Sequence, residues 1–150
     1  MLIDAIKKFF YTLSLNELQM MNRKLLKPDV TYNTLLYLDL IVRTSNCTAS
    51  HLAQLLHVSK PAVTAKINDL ISQGLVEKVQ NPQDKRMFYL KVSPDVARCY
   101  AAYDQNTAQA VSRAEEQFTP RELATFRRVL GGICQQYMEG INQNESQSNF

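Results

Sequence analysis

Apolar positions recur with a helical period over most of the chain. Ile3, Ile6, Phe10 and Leu13, then Leu18, Met21 and Leu25, predict a helix over 3–26. Ser14 and Glu17 have capping-box spacing, so a break near Ser14 is an alternative, and Pro28 closes the region. A second helix, 32–45, follows Thr31 as N-cap and carries Leu35, Leu36, Leu38, Ile41 and Val42, an apolar content that suits a central, buried element. Thr48 then caps a short helix, 49–56, and Ser59 caps another, 60–73, with Pro61 in its first turn and Gly74 as its terminator.

Between residues 75 and 92 the period drops from 3.6 to 2. Leu75 to Val79 alternates as a strand, Asn81-Pro82 opens a turn, and 87–92 returns. Two long helices close the pattern, about 94–117 and 121–141. Ser93-Pro94-Asp95 opens the first, and Thr119-Pro120-Arg121-Glu122 opens the second with a capping box. Residues 143–150 form a polar tail expected to fray. The fold class is mainly α with a small β-hairpin.

Two short helices joined by His57-Val58 make a helix-turn-helix, with Leu52, Ala53, Leu56, Val58, Val63 and Ile67 as the packed comb. Histidine tolerates the left-handed backbone that such a turn asks for. A hairpin directly after the second helix turns the motif into a winged helix. With Val63, Ile67 and Leu70 inward, the outward arc of 60–73 holds Pro61, Ala62, Thr64, Ala65 and Asn68. Those residues are small enough to enter a major groove, where Ala62, Ala65 and the Thr64 methyl suit thymine methyl groups. Thr64 and Asn68 suit base edges. Ser59 stands at the helix start, and Lys60 and Lys66 flank the arc as candidate phosphate contacts. The same pattern also describes a solvated amphipathic helix.

Charge favours the first reading. Of a net +3, residues 47–93 hold six cations and three anions, while the rest of the chain is balanced. A basic segment between neutral flanks suits a polyanion. Within the turn NPQDKRMFYL, Lys85 and Arg86 are placed for backbone and minor groove, and Asp84 is placed to hold the Arg86 guanidinium.

At this point the chain resembles the MarR family of winged-helix transcription regulators. The stretch TASHLAQLLHVSKPAVTAKINDLISQGLVEKVQNPQDKRMFYLKVSP carries the likeness most specifically. It has a leucine-alanine helix, a Val-Ser turn, a helix ending in Gly-Leu-Val, and an Asp-x-Arg wing at Asp84 and Arg86 followed by Leu90, Val92 and Ser93. The resemblance implies a single chain with dimerisation helices at 1–30 and 94–142 around a winged helix-turn-helix at 31–93. It further implies a homodimer on a roughly palindromic double-stranded DNA operator and a small-molecule or redox signal; repression is the default expectation, with activation as the alternative. Family members often carry an arginine on the outward face, where this chain has Thr64 and Ala65.

The remaining chemistry is sparse. Cys47, Cys99 and Cys134 are too scattered for a disulfide framework, and each reads as a buried thiol. Cys47, His51 and His57 cluster in sequence, but two histidines in the whole chain make a poor metal set, so no metal and no cofactor are expected. Met20, Met21, Tyr32, Tyr37 and Tyr103 suit either a ligand cavity or core packing. Gly131-Gly132 marks a close crossing or a kink. No apolar run approaches the ~18 residues of a membrane span, and residues 1–10 lack the form of a secretory signal, so a cytoplasmic location is expected. The alternative function is a winged helix that binds protein without reading DNA. An enzyme ranks last, for want of any nucleophile–base pair or phosphate loop.

Overall fold

The structure, a computed structural model, describes residues 1–22 and 30–147, with side chains up to residue 140. Its elements are α1 (Leu2–Asn22), α2 (Tyr32–Arg43), α3 (Ala49–Leu56), α4 (Lys60–Ser72), β1 (Val76–Gln80), β2 (Phe88–Val92), α5 (Pro94–Glu115) and α6 (Pro120–Gln147). The chain divides into two compact units, Met1–Ala102 and Tyr103–Phe150.

In the first unit each short helix starts where a hydroxyl is available. Thr31, Thr48 and Ser59 sit in extended backbone, and their side chains accept from the amides of Thr34, His51 and Ala62. Each cap satisfies one of the orphan donors of a first turn. The helix ends are equally local in origin. His57 takes φ 51° and Gly74 φ 69°. At Gly74 the amide donates to Ile71 C=O and that of Leu75 to Leu70 C=O, both at 2.9 Å. At His57 the same pattern runs from His57 to Gln54 and from Val58 to Ala53. Both are Schellman motifs, and histidine stands in for glycine in the first.

The core lies among α2, α3, α4, the hairpin and the first turns of α5. Leu38, Leu52, Val63, Ile67, Leu70, Val76 and Val96 are fully buried, with Cys47 among them. Strands β1 and β2 pair antiparallel with Val76 opposite Val92 and Gln80 opposite Phe88. Two further bonds fasten the hairpin, one at the middle of β2 and one at its base. Leu90 N–H donates to Cys47 C=O and Ser93 N–H to Leu75 C=O, each at 2.8 Å. The α3–α4 pair is thereby tied to the hairpin through main chain, which among side-chain substitutions only proline at Leu90 or Ser93 removes.

Helix α1 runs unbroken through Ser14, so the capping-box spacing there starts no second helix. Residues 23–26 of the predicted first helix lie outside the described residues. No residue of α1 is buried, although Leu2, Ile3, Phe9, Phe10, Leu15 and Leu18 are apolar.

In the second unit, α5 ends in a tight turn and α6 begins at the predicted box. Glu122 accepts from the Thr119 amide (2.8 Å) and hydroxyl (2.7 Å), which holds its carboxyl below the usual carboxylate range. Val111, Ala114, Phe118, Leu123 and Phe126 line an open cavity of about 580 Å³ at this turn. Helix α6 continues to Gln147, so most of the predicted tail extends the helix; after Gly140 nothing in its sequence up to that point breaks one. A Cβ at Gly131 or Gly132 meets nothing within 4 Å among the described residues, so these glycines mark no close crossing within their own unit.

Candidate nucleic-acid interface

Helix α4 presents the surface that its periodicity assigns to it. Val63, Ile67 and Leu70 are buried, whereas Lys60, Pro61, Ala62, Ala65 and Asn68 are exposed and Thr64 is half-buried. Ser59 spends its hydroxyl on the Ala62 amide at 3.4 Å, fixing the first turn. The exposed face is low in relief, because two of its residues are alanine and one is proline. Shape rather than charge is its main property.

Lys66 departs from its expected place. Its Nζ donates to Thr34 Oγ1 of α2 at 2.9 Å and lies 3.8 Å from Asp69. The Lys66 side chain is only 22% exposed. One helical step from Ile67, it lies close enough to the buried stripe for its stem to pack there and its head to reach a hydroxyl. Lys66 therefore braces α4 against α2, and Lys60 is the cation that flanks the exposed arc. Thr34 accepts a second hydrogen bond from the α2 cap, Thr31 Oγ1, at 3.1 Å.

Lys78 is absent from the site that periodicity predicts. It stands on β1 opposite Leu90, and its Nζ donates to Asn68 Oδ1 at 3.2 Å. Residues directly opposite in an antiparallel pair share a face. Leu90 is buried, so Lys78 leaves from the side of the hairpin that is turned toward the helices. Alternation along Val76, Lys78 and Gln80 carries that signal in the sequence.

The wing tip is a hydrogen-bonded turn. Asn81 is buried; its Nδ2 donates to Tyr89 OH and its Oδ1 accepts from Gln83 N–H, both at 2.9 Å. Gln80 Nε2 donates to Lys85 C=O at 2.9 Å, and Met87 N–H to Asp84 C=O at 3.0 Å. Asp84 does not pair with the Arg86 guanidinium as expected. Its Oδ1 accepts from the Arg86 main-chain amide at 3.0 Å instead. A short aspartate two residues back reaches an amide in an Asx turn more readily than the end of a long side chain. Among the described residues the Arg86 guanidinium has no carboxylate partner, and Lys85 and Arg86 both project from the tip into solvent.

The other candidates fall elsewhere. Cys47 is buried in the core, and burial pushes its thiol from an ordinary 9.0 up to about 11. Cys99 is half-buried, and Cys134 is exposed on α6, which corrects its reading as a buried thiol. The helical period places Cys134 beside Ile133 but cannot say which face of α6 lacks cover. Tyr32 donates to Glu17 Oε2 at 3.1 Å, a bond to a carboxylate that raises its phenol. Of the five residues suggested for a ligand cavity, none lines the cavity at the α5–α6 turn. Among the described residues no group of three or more metal-ligating side chains forms, and no described helix is long and apolar enough to cross a membrane.

Comparison with known proteins agrees with this geometry. The MarR family model matches residues 29–87. The HTH-type transcriptional regulator BilQ of Clostridioides difficile is 30% identical over 114 residues, covering 71% of this chain and 77% of that protein. The fold is that of FabT from Streptococcus pneumoniae, solved in complex with DNA. It superposes with a TM-score of 0.62 at 18% identity, over 91% of this chain and 98% of that one. It is also that of the Staphylococcus aureus MarR solved with salicylate and kanamycin, with a TM-score of 0.54 at 20% identity over 93% and 94% of the two chains. With a helix-turn-helix, a wing and these relatives, the chain belongs to the MarR family and is a DNA-binding transcription regulator.

Proposed function

We propose that the protein is a homodimeric repressor that reads a palindromic operator with α4 and the wing, and that a small molecule releases it. The carrying observation is the pairing of a low, alanine-rich α4 face with a pre-formed wing tip whose two cations point away from the protein. Ser59, Lys60, Pro61, Ala62, Thr64, Ala65 and Asn68 would meet the major groove and its phosphates. Lys85 would meet a phosphate, and Arg86 would enter a narrow minor groove, where negative potential favours a guanidinium. Lys66 and Asp84 hold those surfaces in place.

Dimerisation has its own support. Helix α1 carries seven large apolar or aromatic side chains that one copy of the chain leaves exposed, and α6 carries Phe126, Val129, Tyr137 and Met138 in the same condition. Apolar surface on that scale marks an interaction site, and two-fold pairing is the usual solution. A two-fold dimer would set the α4 helices on successive major grooves, about 34 Å apart. Such an occupant on promoter DNA excludes polymerase, which is the reason for preferring repression. The relative solved with salicylate and kanamycin supports a small-molecule signal. A cytoplasmic location follows from the same role.

The test is binding to duplex fragments of the source genome across a salt series, with sedimentation to fix the oligomer. A selective, steeply salt-dependent dimer is expected. Negligible affinity for any fragment at low salt would end this reading in favour of a protein-binding winged helix.

A further inference from the structure

The outward face of α4 is short of hydrogen-bonding groups. Pro61, Ala62 and Ala65 offer no side-chain donor or acceptor, and Thr64 is half-buried. Of the five arc residues, Asn68 alone exposes a polar side chain fully. By itself, an asparagine in a major groove suits adenine, because its oxygen accepts from N6 and its nitrogen donates to N7. Asn68 is not by itself. Lys78 Nζ donates to Asn68 Oδ1 at 3.2 Å. An ammonium has donors only, so this contact settles which end of the amide is oxygen.

We propose that Asn68 and Lys78 form one base-reading unit that offers two donors side by side, its amide oxygen already engaged by a cation, and selects guanine over adenine. Guanine offers two acceptors on its major-groove edge, O6 and N7, and the unit offers Asn68 Nδ2 and Lys78 Nζ beside each other. Adenine would have to bring its N6 amino group to the oxygen that Lys78 holds, next to a positive charge. Lys78 thus acts as a specificity residue from the wing strand, reaching the groove over the face of β1 that it shares with Leu90. The proposal rests on the entry of α4 into a major groove.

Selection from a randomised duplex library tests it, using the full chain and its Asn68→Ala, Lys78→Met and Lys78→Arg variants. The wild type is expected to enrich guanine at one position in each half-site. Asn68→Ala and Lys78→Met should each lower the guanine-to-adenine ratio at that position on the order of tenfold. Preferences elsewhere in the motif should persist, which also reports a folded protein, and Lys78→Arg should restore the ratio. Three results would overturn the proposal: adenine enriched by the wild type where Asn68→Ala loses preference, Lys78→Met leaving every preference intact, or Lys78→Met weakening all sequences alike, as a plain phosphate contact would. A wild type that enriches no sequence would instead overturn the DNA-reading role itself.

Discussion

Replacing Arg86 by alanine separates the fold of the wing from its function. The guanidinium is exposed and has no carboxylate partner among the described residues, so its removal breaks no described ion pair of the native state. The turn is held by Asn81, Gln80 and the Asp84 carboxylate, all of which remain. Stability should therefore change by no more than the roughly 0.5 kcal/mol of an ordinary surface substitution. Affinity should fall much further. A charge-assisted hydrogen bond is worth about 1.5 kcal/mol at the low end, or about tenfold. A dimer carries two wings, so Arg86→Ala should weaken the operator complex about a hundredfold, and most where the flanks are rich in A·T pairs. Fluorescence anisotropy at fixed salt measures the affinity, and a thermal melt measures the stability. Asp84→Ala is the internal control: it frees one main-chain amide but keeps both cations, so its affinity loss should be the smaller. Unfolding on Arg86→Ala, unchanged affinity, or an Asp84→Ala loss as large as that of Arg86→Ala would refute the reasoning.

Five further outcomes are expected. Lys85→Ala should reduce the slope of log affinity against log salt by about 2 per dimer, at roughly 0.9 for each phosphate no longer neutralised. Ile67→Ala removes a fully buried side chain at the α3–α4 junction, and chemical denaturation should show a loss of about 2–5 kcal/mol. Thr119→Ala deletes the α6 cap and should cost about 1 kcal/mol in the same assay. Alkylation at pH 8 should label Cys47 only on unfolding. Because the folded state keeps the Cys47 proton up to about 11, stability should fall as pH rises above 9, where the unfolded thiol releases it first.

Helix starts, helix ends and the hairpin are legible in the sequence because each is decided by two to four neighbouring residues. Thr31, Thr48, Ser59, His57 and Gly74 all do in the structure what their chemistry predicts locally. The candidate site is legible as a surface but not as a set of partners. A helical wheel places Lys66 on a flank, yet it says nothing of Thr34 on α2 within reach. For Asp84, charge pairing points to the right residue but the wrong part of it, because the path to the Arg86 amide is shorter than the path to its guanidinium. For Lys78, alternation along β1 gives the face, but its partner Asn68 lies on α4 and is not legible from the strand alone. Cys134 is misplaced because its cover is not a property of α6.

The two main-chain bonds that fasten the hairpin, Leu90 to Cys47 at mid-strand and Ser93 to Leu75 at the base, make the wing a lever with a fixed fulcrum. Its reach can change only by adding or removing residues beyond Gln80 and Phe88. Side chains alternate along a strand, so one added cross-strand pair would turn Arg86 to the wrong side, and two would restore it. Two pairs lengthen the lever by about 6.6 Å. A chain of this design can therefore change the reach of its wing tip only in steps of two residue pairs while α4 and its core stay as they are.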